Sequence, residues 1–355
     1  MERIFMKGNE ALAEAAIQAG CRFYFGYPIT PQTEISEYLS RRLPEVGGVF
    51  LQAESEIAAI NMVYGAAATG ARVMTSSSGP GISLKQEGIS YLASAELPCV
   101  VVNMSRGGPG LGNIQPAQSD YFQATRGGGH GDYRTLVLAP SSVQELVSLT
   151  HRAFYLADKY RNPVKILGDG MLGQMMEPVT WEEIELPPLP PKNWAIKGKG
   201  EGERKFILCM ELDPQELEKF NRKLEKKYQQ MAEEDTAWEI FGEESDPHLL
   251  LVGFGTVARI LKSVIREGKK EGWRIALLRP ITLFPFPYKV VQKMAEKAGK
   301  VLVVEMNLGQ MIEDVKLGVE GKAPVHFYSR VGGMVPTVDE VLQKIADILR
   351  GEGRK

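Results

Sequence analysis

Between residue 9 and about residue 168 the chain switches regularly between helix-period stretches and short β-rich runs, and this alternation constrains the fold more than any other feature. A helical stretch over Asn9–Ala19 leads into RFYFGYP, a helix expected from Pro31 leads into GVFLQ, and one from about Ser55 leads into RVMTSS. A further helix to Ala95 precedes CVVVNM; TLVLA follows, and a long helix from Ser142 leads to PVKIL. Strands alternating with helices of about 10–15 residues imply a mostly parallel, doubly wound sheet of the α/β class. Ligands of such sheets collect at the carboxyl ends of the strands.

Residues 1–185 form the first expected unit. A proline-rich break follows at Leu186–Pro191, and residues 195–245 carry 22 charged side chains in 51 positions, too many for a core. Residues 186–246 therefore read as a connector. Within it Leu217, Phe220, Leu224 and Met231 recur at helical spacing, the pattern of one amphipathic helix lying on another surface. From His248 the alternation resumes through HLLLVGFG, a helix to about Gly268, RIALLRP, a helix from about Pro287, VLVVEMN and a last helix over Val338–Leu349. Residues 247–355 read as a second, smaller α/β unit of ordinary domain size.

Charge and cysteine content narrow the function. Forty-two Lys and Arg against 44 Asp and Glu leave a net charge of −2, so no basic field exists to hold nucleic acid or an anionic membrane. No run of about 18 apolar residues is present to span a bilayer. Cys21, Cys99 and Cys209 are far apart, without the short spacing of a zinc site or an iron–sulfur cluster. If the protein moves electrons, another chain carries the cluster. An odd cysteine count and a charged N-terminus where a secretory leader would be apolar point to the cytoplasm.

Several motifs offer chemistry. In GYPITPQT (26–33) Thr30 is placed as an N-cap and Pro31 as the first helical residue, so the helix start would suit a carboxylate or phosphate. A rigid strand-to-helix turn is the plainer explanation. QAESEI (52–57) puts Glu54 and Glu56 at a helix start, where the dipole alone accounts for either acid. The small residues that follow, Ala58, Ala59, Gly65, Ala66, Ala67 and Ala68, leave one face bare, so something is expected to pack tightly there and desolvate a carboxylate. TSSSGPG (75–81) lacks the G-x-S-x-G of a serine hydrolase and reads as a polar lining or tight turn containing Ser78 and Gly79. Eight glycines between Gly107 and Gly131 predict a loop that folds close over something. Arg106, at the exit of CVVVNM, either grips a carboxylate through a forked pair of hydrogen bonds or pairs with Asp120 or Asp132.

Two motifs are decoys. Gly168-Asp169-Gly170 is like the metal-binding G-D-G of thiamine diphosphate domains, but the strand that should end in the partner asparagine, before Asn193, is filled with prolines and acids. Gly253-Phe254-Gly255 approximates a dinucleotide fingerprint, yet the following strand ends in Arg279-Pro280 rather than the required acid, which leaves an NAD dehydrogenase a distant reading.

Taken together, YPITP, SEIAAINMVYGAAATGA, SSSGPGISL, SRGGPGLGNIQPAQSDYFQATRGGGHGDYR, and VGFGTVARI with LRPITLFPFP resemble the thiamine-pyrimidine-domain (alpha-type) subunit of the 2-oxoacid:ferredoxin oxidoreductases, most closely the ketoisovalerate branch. The resemblance spans about residues 1–185 and 247–350. It implies a pyrimidine-type α/β domain plus a transketolase C-terminal-like domain. It also implies thiamine diphosphate shared with a beta-type subunit that holds the diphosphate and Mg2+. Further implied partners are a gamma-type subunit, a ferredoxin-like subunit carrying 4Fe–4S clusters and external ferredoxin, with coenzyme A as co-substrate. By register Glu56 matches the family's activating glutamate better than Glu54, exchanging a proton with the pyrimidine nitrogen. Thr30 and Arg106 match residues near the substrate carboxylate, while Tyr27, Pro28, Ile29, Ser78 and Gly79 line the cofactor, and no metal ligand falls on this chain. The second domain is expected to serve assembly, with Glu305–Gln310 facing a subunit interface. The rival readings are a 2-oxoglutarate branch enzyme and a non-catalytic assembly subunit.

Overall fold

In the computed structural model, which describes residues 3–181, 184–198 and 204–351, the alternating pattern becomes two mostly parallel sheets. The few positions of the three expected units outside these ranges are residues 1–2, 182–183, 199–203 and 352–355. The chain begins β1 (Ile4–Lys7), α1 (Gly8–Gln18), β2 (Phe23–Gly26), α2 (Thr33–Glu45), β3 (Val49–Gln52), α3 (Glu56–Ala68), β4 (Val73–Ser77), α4 (Pro80–Ser94). It continues through β5 (Cys99–Ser105), α5 (Tyr121–Thr125), β6 (Leu136–Leu138), α6 (Val143–Tyr160), β7 (Pro163–Asp169), α7 (Gly170–Gln174) and β8 (Met176–Val179). Next come α8 (Pro214–Glu234), β9 (Trp238–Gly242), β10 (Leu249–Val252), α9 (Gly255–Lys270), β11 (Ile275–Pro280) and β12 (Thr282–Phe284). The chain closes with α10 (Tyr288–Ala298), β13 (Val301–Glu305), α11 (Met311–Val319), β14 (Val325–Ser329) and α12 (Val338–Arg350).

The larger sheet has the order β12-β6-β7-β5-β4-β2-β3, the smaller β14-β13-β10-β11-β9, and β1 pairs with β8 as an antiparallel ribbon. Every residue of β5 and β7 is buried, as parallel strands covered by helices on both faces must be. β3 closes one edge, and its Val49 and Leu51 remain exposed. From β2 the chain steps outward to β3, then returns to β4 on the other side, so the topological switch lies between β2 and β4. The crevice outside their carboxyl ends is where such a sheet takes a ligand.

Two strands lie across the expected unit boundaries. β9, from the connector's range, pairs antiparallel with β11, and β12, from the C-terminal range, pairs antiparallel with β6 of the larger sheet. A buried cluster ties these pieces together: Arg279 donates to both oxygens of Glu145 at 2.8 and 2.7 Å and to Glu239 at 2.7 Å. α8 forms where the apolar spacing required. It buries Leu224 and Met231 against the first unit, while Lys227 reaches Glu96 at 2.7 Å. The expected stripe is shorter than four residues, because Leu217 stays 41% exposed near the start of the helix.

Candidate active site

The segment after β2 does not cap a helix as expected. α2 begins at Thr33, with Gln32 at the cap position, and Thr30 and Pro31 form a turn before it with a cis peptide bond between them. The reason lies in the Pro31 carbonyl, which accepts from Asn9 Nδ2 at 2.8 Å and Gln174 Nε2 at 3.1 Å instead of from a helical amide. Ile29 O accepts the Gln32 amide at 3.1 Å. Gln32 is fully buried and meets Ser76 Oγ; Tyr24 OH bonds both Ser76 Oγ at 2.6 Å and Ser36 Oγ at 2.8 Å. This hydroxyl chain fastens the turn to β4. Tyr27 is 38% exposed, Pro28 and Ile29 are half-buried, and Thr30 is exposed at the crevice mouth.

Burial separates the two acids of the next loop. Glu54 is exposed, whereas Glu56, the first residue of α3, is 6% exposed. Ser55 caps the helix by accepting the Ala58 amide at 3.2 Å, so the Glu56 side chain is free of that task. Its carboxylate lies against the first turn of α4. A Cβ on Gly81 would collide with Glu56 Oε1 and Ser77 Oγ, so only glycine lets the carboxylate sit there. The small-residue face of α3 is covered only in part: Ala59 and Ala67 are buried, but Gly65 is exposed with nothing within 4 Å of a Cβ position.

The other side of that turn of α4 belongs to Arg106. Gly79 has φ +48°, and a Cβ on it would lie 3.2 Å from Arg106 Nε. The guanidinium donates to Thr30 O at 3.0 Å and to Leu111 O at 2.9 Å, and its Nε has no partner. No ion pair with Asp120 or Asp132 forms, because Asp120 turns inward to Asn103 Nδ2 at 2.9 Å, where burial pushes its carboxyl up from the usual range. Thr30, Ser78, Gly79 and Arg106 thus meet at the ends of β2, β4 and β5, and Glu56 approaches the same helix start from α3. Thr75 Oγ1, Ser77 Oγ and Ser78 Oγ are buried without hydrogen-bond partners. Buried hydroxyls are ordinarily satisfied, which sets this row apart as a candidate polar lining.

Lys85 belongs to none of the sequence motifs above. It is fully buried on α4, its ammonium has no hydrogen-bond partner, and burial lowers its pKa to about 8. The signal was present in the helical period, since Gly81, Ile82, Gly88 and Ile89 place position 85 within the buried stripe. Lys165, buried in β7, donates to Gly127 O at 3.0 Å and more distantly to Gln123 O and Ala124 O.

The remaining candidates are structural. Asp169 is buried and accepts the Met171 and Leu172 amides at 3.0 and 3.1 Å, capping α7. Phe254 O accepts Gln118 Nε2 at 2.8 Å, which closes the Gly253–Gly255 turn against the first unit. Glu305 to Gln310, expected at a subunit interface, lie along the contact between the two units of this chain. Gln310 donates to Ser119 O at 2.7 Å and accepts the Phe122 amide at 2.8 Å, so the stretch joins the two units within the chain, with Leu308 alone strongly exposed at 86%. Cys21 and Cys99 are buried, Cys209 is exposed, and none is bridged. Among the described residues no group of three or more His, Cys, Asp or Glu is placed to hold a metal ion, and no helix is long and apolar enough to cross a membrane.

Comparison with known proteins shows the family of the chain. Residues 14–238 match the family described as "Pyruvate flavodoxin/ferredoxin oxidoreductase, thiamine diP-bdg", and residues 248–341 match "Pyruvate:ferredoxin oxidoreductase core domain II". A ketoisovalerate oxidoreductase subunit VorB of Methanothermobacter marburgensis is 51% identical over 343 residues, covering 97% of each chain. A 2-oxoglutarate synthase subunit KorA of Methanothermobacter thermautotrophicus is 37% identical, covering 98% of this chain and 100% of that one. Among solved structures, a 2-oxoglutarate:ferredoxin oxidoreductase of Magnetococcus marinus, with 2-oxoglutarate, coenzyme A and succinyl-CoA bound, superposes with a TM-score of 0.84 at 28% identity. It covers 98% of this chain, which spans 65% of that chain's length. A split-gene transketolase at 12% identity and TM-score 0.60 shares the fold.

Proposed function

This chain belongs to the 2-oxoacid:ferredoxin oxidoreductase subunits, a family of oxidoreductases acting on 2-oxoacids, and from that premise we propose that it supplies the pyrimidine half of a shared thiamine diphosphate site. The reaction is the oxidative decarboxylation of branched 2-oxoacids of the ketoisovalerate type to acyl-coenzyme A, with two electrons passed to ferredoxin. The observation that carries the reading is Glu56: a buried glutamate at the topological switch, its carboxylate in a space that only glycine at position 81 leaves open.

The residues present fit the aminopyrimidine end of the cofactor. Glu56 would meet the ring nitrogen, with Tyr27, Pro28, Ile29, Ser78 and Gly79 beside it. When bound, thiamine diphosphate supplies the nucleophile and electron sink that let a 2-oxoacid lose carbon dioxide. Glu56 holds or releases a proton at the ring nitrogen, the role for which a carboxylate shielded from water is suited. Arg106 and Thr30, joined at the crevice mouth, orient the substrate carboxylate. The diphosphate and Mg2+ fall to a beta-type subunit; the 4Fe–4S clusters fall to an iron–sulfur subunit beside a gamma-type subunit.

The branched-acid preference is supported by the 51% identity to the ketoisovalerate subunit against 37% to the 2-oxoglutarate one. The test is dye reduction by the anaerobically purified complex with coenzyme A, offering ketoisovalerate, 2-oxoglutarate, pyruvate and indolepyruvate one at a time. Fastest reduction with ketoisovalerate is expected. Fastest reduction with 2-oxoglutarate overturns the branch, and no reduction with any of the four in the presence of thiamine diphosphate leaves an assembly subunit as the better reading.

A further inference from the structure

Lys85 is a cation in an apolar stripe. Its neighbours at helical spacing, Gly81, Ile82, Gly88 and Ile89, are all buried, and it is itself 0% exposed. With no hydrogen-bond partner, its ammonium lacks any replacement for the water it lost, a costly arrangement that a methionine of similar reach would avoid. Stability does not explain the residue.

What the ammonium meets is charge. Gly81 lies one helical turn before Lys85, and at Gly81 the missing Cβ makes room for Glu56 Oε1. The Glu56 carboxylate acts electrostatically on Lys85 without bonding to it. α4 packs on α3 and approaches β7. From α3 the charged group facing Lys85 is Glu56; of the charged groups of β7, Lys165 turns to the backbone carbonyls of Gln123, Ala124 and Gly127, and Asp169 accepts the Met171 and Leu172 amides. Two buried groups of opposite charge therefore share one turn of α4.

We propose that Lys85 is a positioning residue of the reaction: its buried ammonium is the fixed counter-charge that orients the Glu56 carboxylate where it faces the pyrimidine ring. This rests on the reading of Glu56 given above. The Lys85 ammonium is fully buried, and in a low-dielectric interior a charge beyond hydrogen-bond reach still acts. Burial lowers the Lys85 ammonium to about 8 while Glu56 opposes the fall, so it is charged at neutral pH.

The test is Lys85→Met in the assembled complex, with Lys165→Met and Glu56→Gln beside it. Lys85→Met is expected to lower kcat roughly 10- to 100-fold, the usual effect of losing a group that orients a reacting one. KM for the 2-oxoacid should stay within about threefold, because the substrate is held elsewhere. The acid limb of the kcat profile should move to higher pH, since a carboxylate that loses a neighbouring cation binds a proton more readily. Lys165→Met should leave that limb in place. An unmoved acid limb in Lys85→Met overturns the proposal, whereas wild-type turnover by Glu56→Gln overturns the reading of Glu56 beneath it. If Lys85→Met fails to assemble, the coupling is read in the full chain carrying 13C at lysine Cε. There Glu56→Gln should lower the titration midpoint of one buried lysine, and unchanged midpoints for both Lys85 and Lys165 overturn the proposal.

Discussion

Glu56 and Glu305 are both buried glutamates beside the carboxyl edge of a parallel sheet, yet their surroundings are opposite. Glu305, 0% exposed, accepts the Met311 and Ile312 amides at 2.9 Å each and Asn307 Nδ2 at 2.8 Å, so the N-terminus of α11 and one side chain satisfy it. Glu56 lies instead against the glycine turn at Gly81 with Ser77 Oγ, and the hydroxyls of Thr75, Ser77 and Ser78 are unpaired. The second sheet's edge is closed against the first unit through Gln118 and Gln310. The first sheet's edge is left open. A carboxylate bonded by amides of its own chain serves the fold, whereas the Glu56 carboxylate is left to the role proposed above.

The sharpest way to break this contrast is to remove each carboxylate. Glu56→Ala should abolish turnover of the assembled complex, a loss of at least about a hundredfold for a group that moves a proton. Wild-type-like dye reduction in this variant would erase the distinction between the two edges.

A smaller effect is expected at the crevice mouth. Arg106→Ala should raise KM for the 2-oxoacid by roughly 10- to 100-fold, the worth of about 1.5–3 kcal/mol for hydrogen bonds to a charged group. Steady-state kinetics over a range of substrate concentrations would show it. A loss confined to kcat would move Arg106 away from the substrate carboxylate.

Glu305→Gln should behave in the reverse sense to Glu56→Ala. It removes charge from a network of amide donors and should cost about 1–3 kcal/mol of stability in denaturant unfolding. The complex that does assemble should turn over normally.

The smallest effect is a pH slope. Burial lowers the Lys165 ammonium to about 7, whereas in the unfolded chain it titrates near the ordinary lysine value of about 10.4. Between these values the unfolded chain binds a proton that the folded chain does not, so this group's contribution to stability rises with pH across the window and is lost as pH falls toward 7. Melting of Lys165→Met at pH 7 and pH 9 should show a flatter dependence than the wild type, and an equal slope would mean that the ammonium stays charged inside the sheet.

The alternation of helical and extended periods determined the α/β class, the parallel sheets and most of their elements, because periodicity is a property of a dozen neighbouring residues and survives without knowledge of the rest. The same local reading recognised the glycine turn at Gly79–Gly81 and the acids of QAESEI. It misplaced the start of α2, since the Pro31 carbonyl is claimed by Asn9 and Gln174, residues 22 and 143 positions away. The helical period also put Lys85 on a buried face, but nothing local says what that face meets. Register with the family already favoured Glu56 over Glu54, but only the tertiary structure decided that the first is buried and the second exposed. It alone set Arg106 on the Thr30 carbonyl across 76 residues and turned Glu305 inward. Each of these depends on which strand lies beside which, and burial, pairing and the absence of a partner are decided by neighbours distant in sequence.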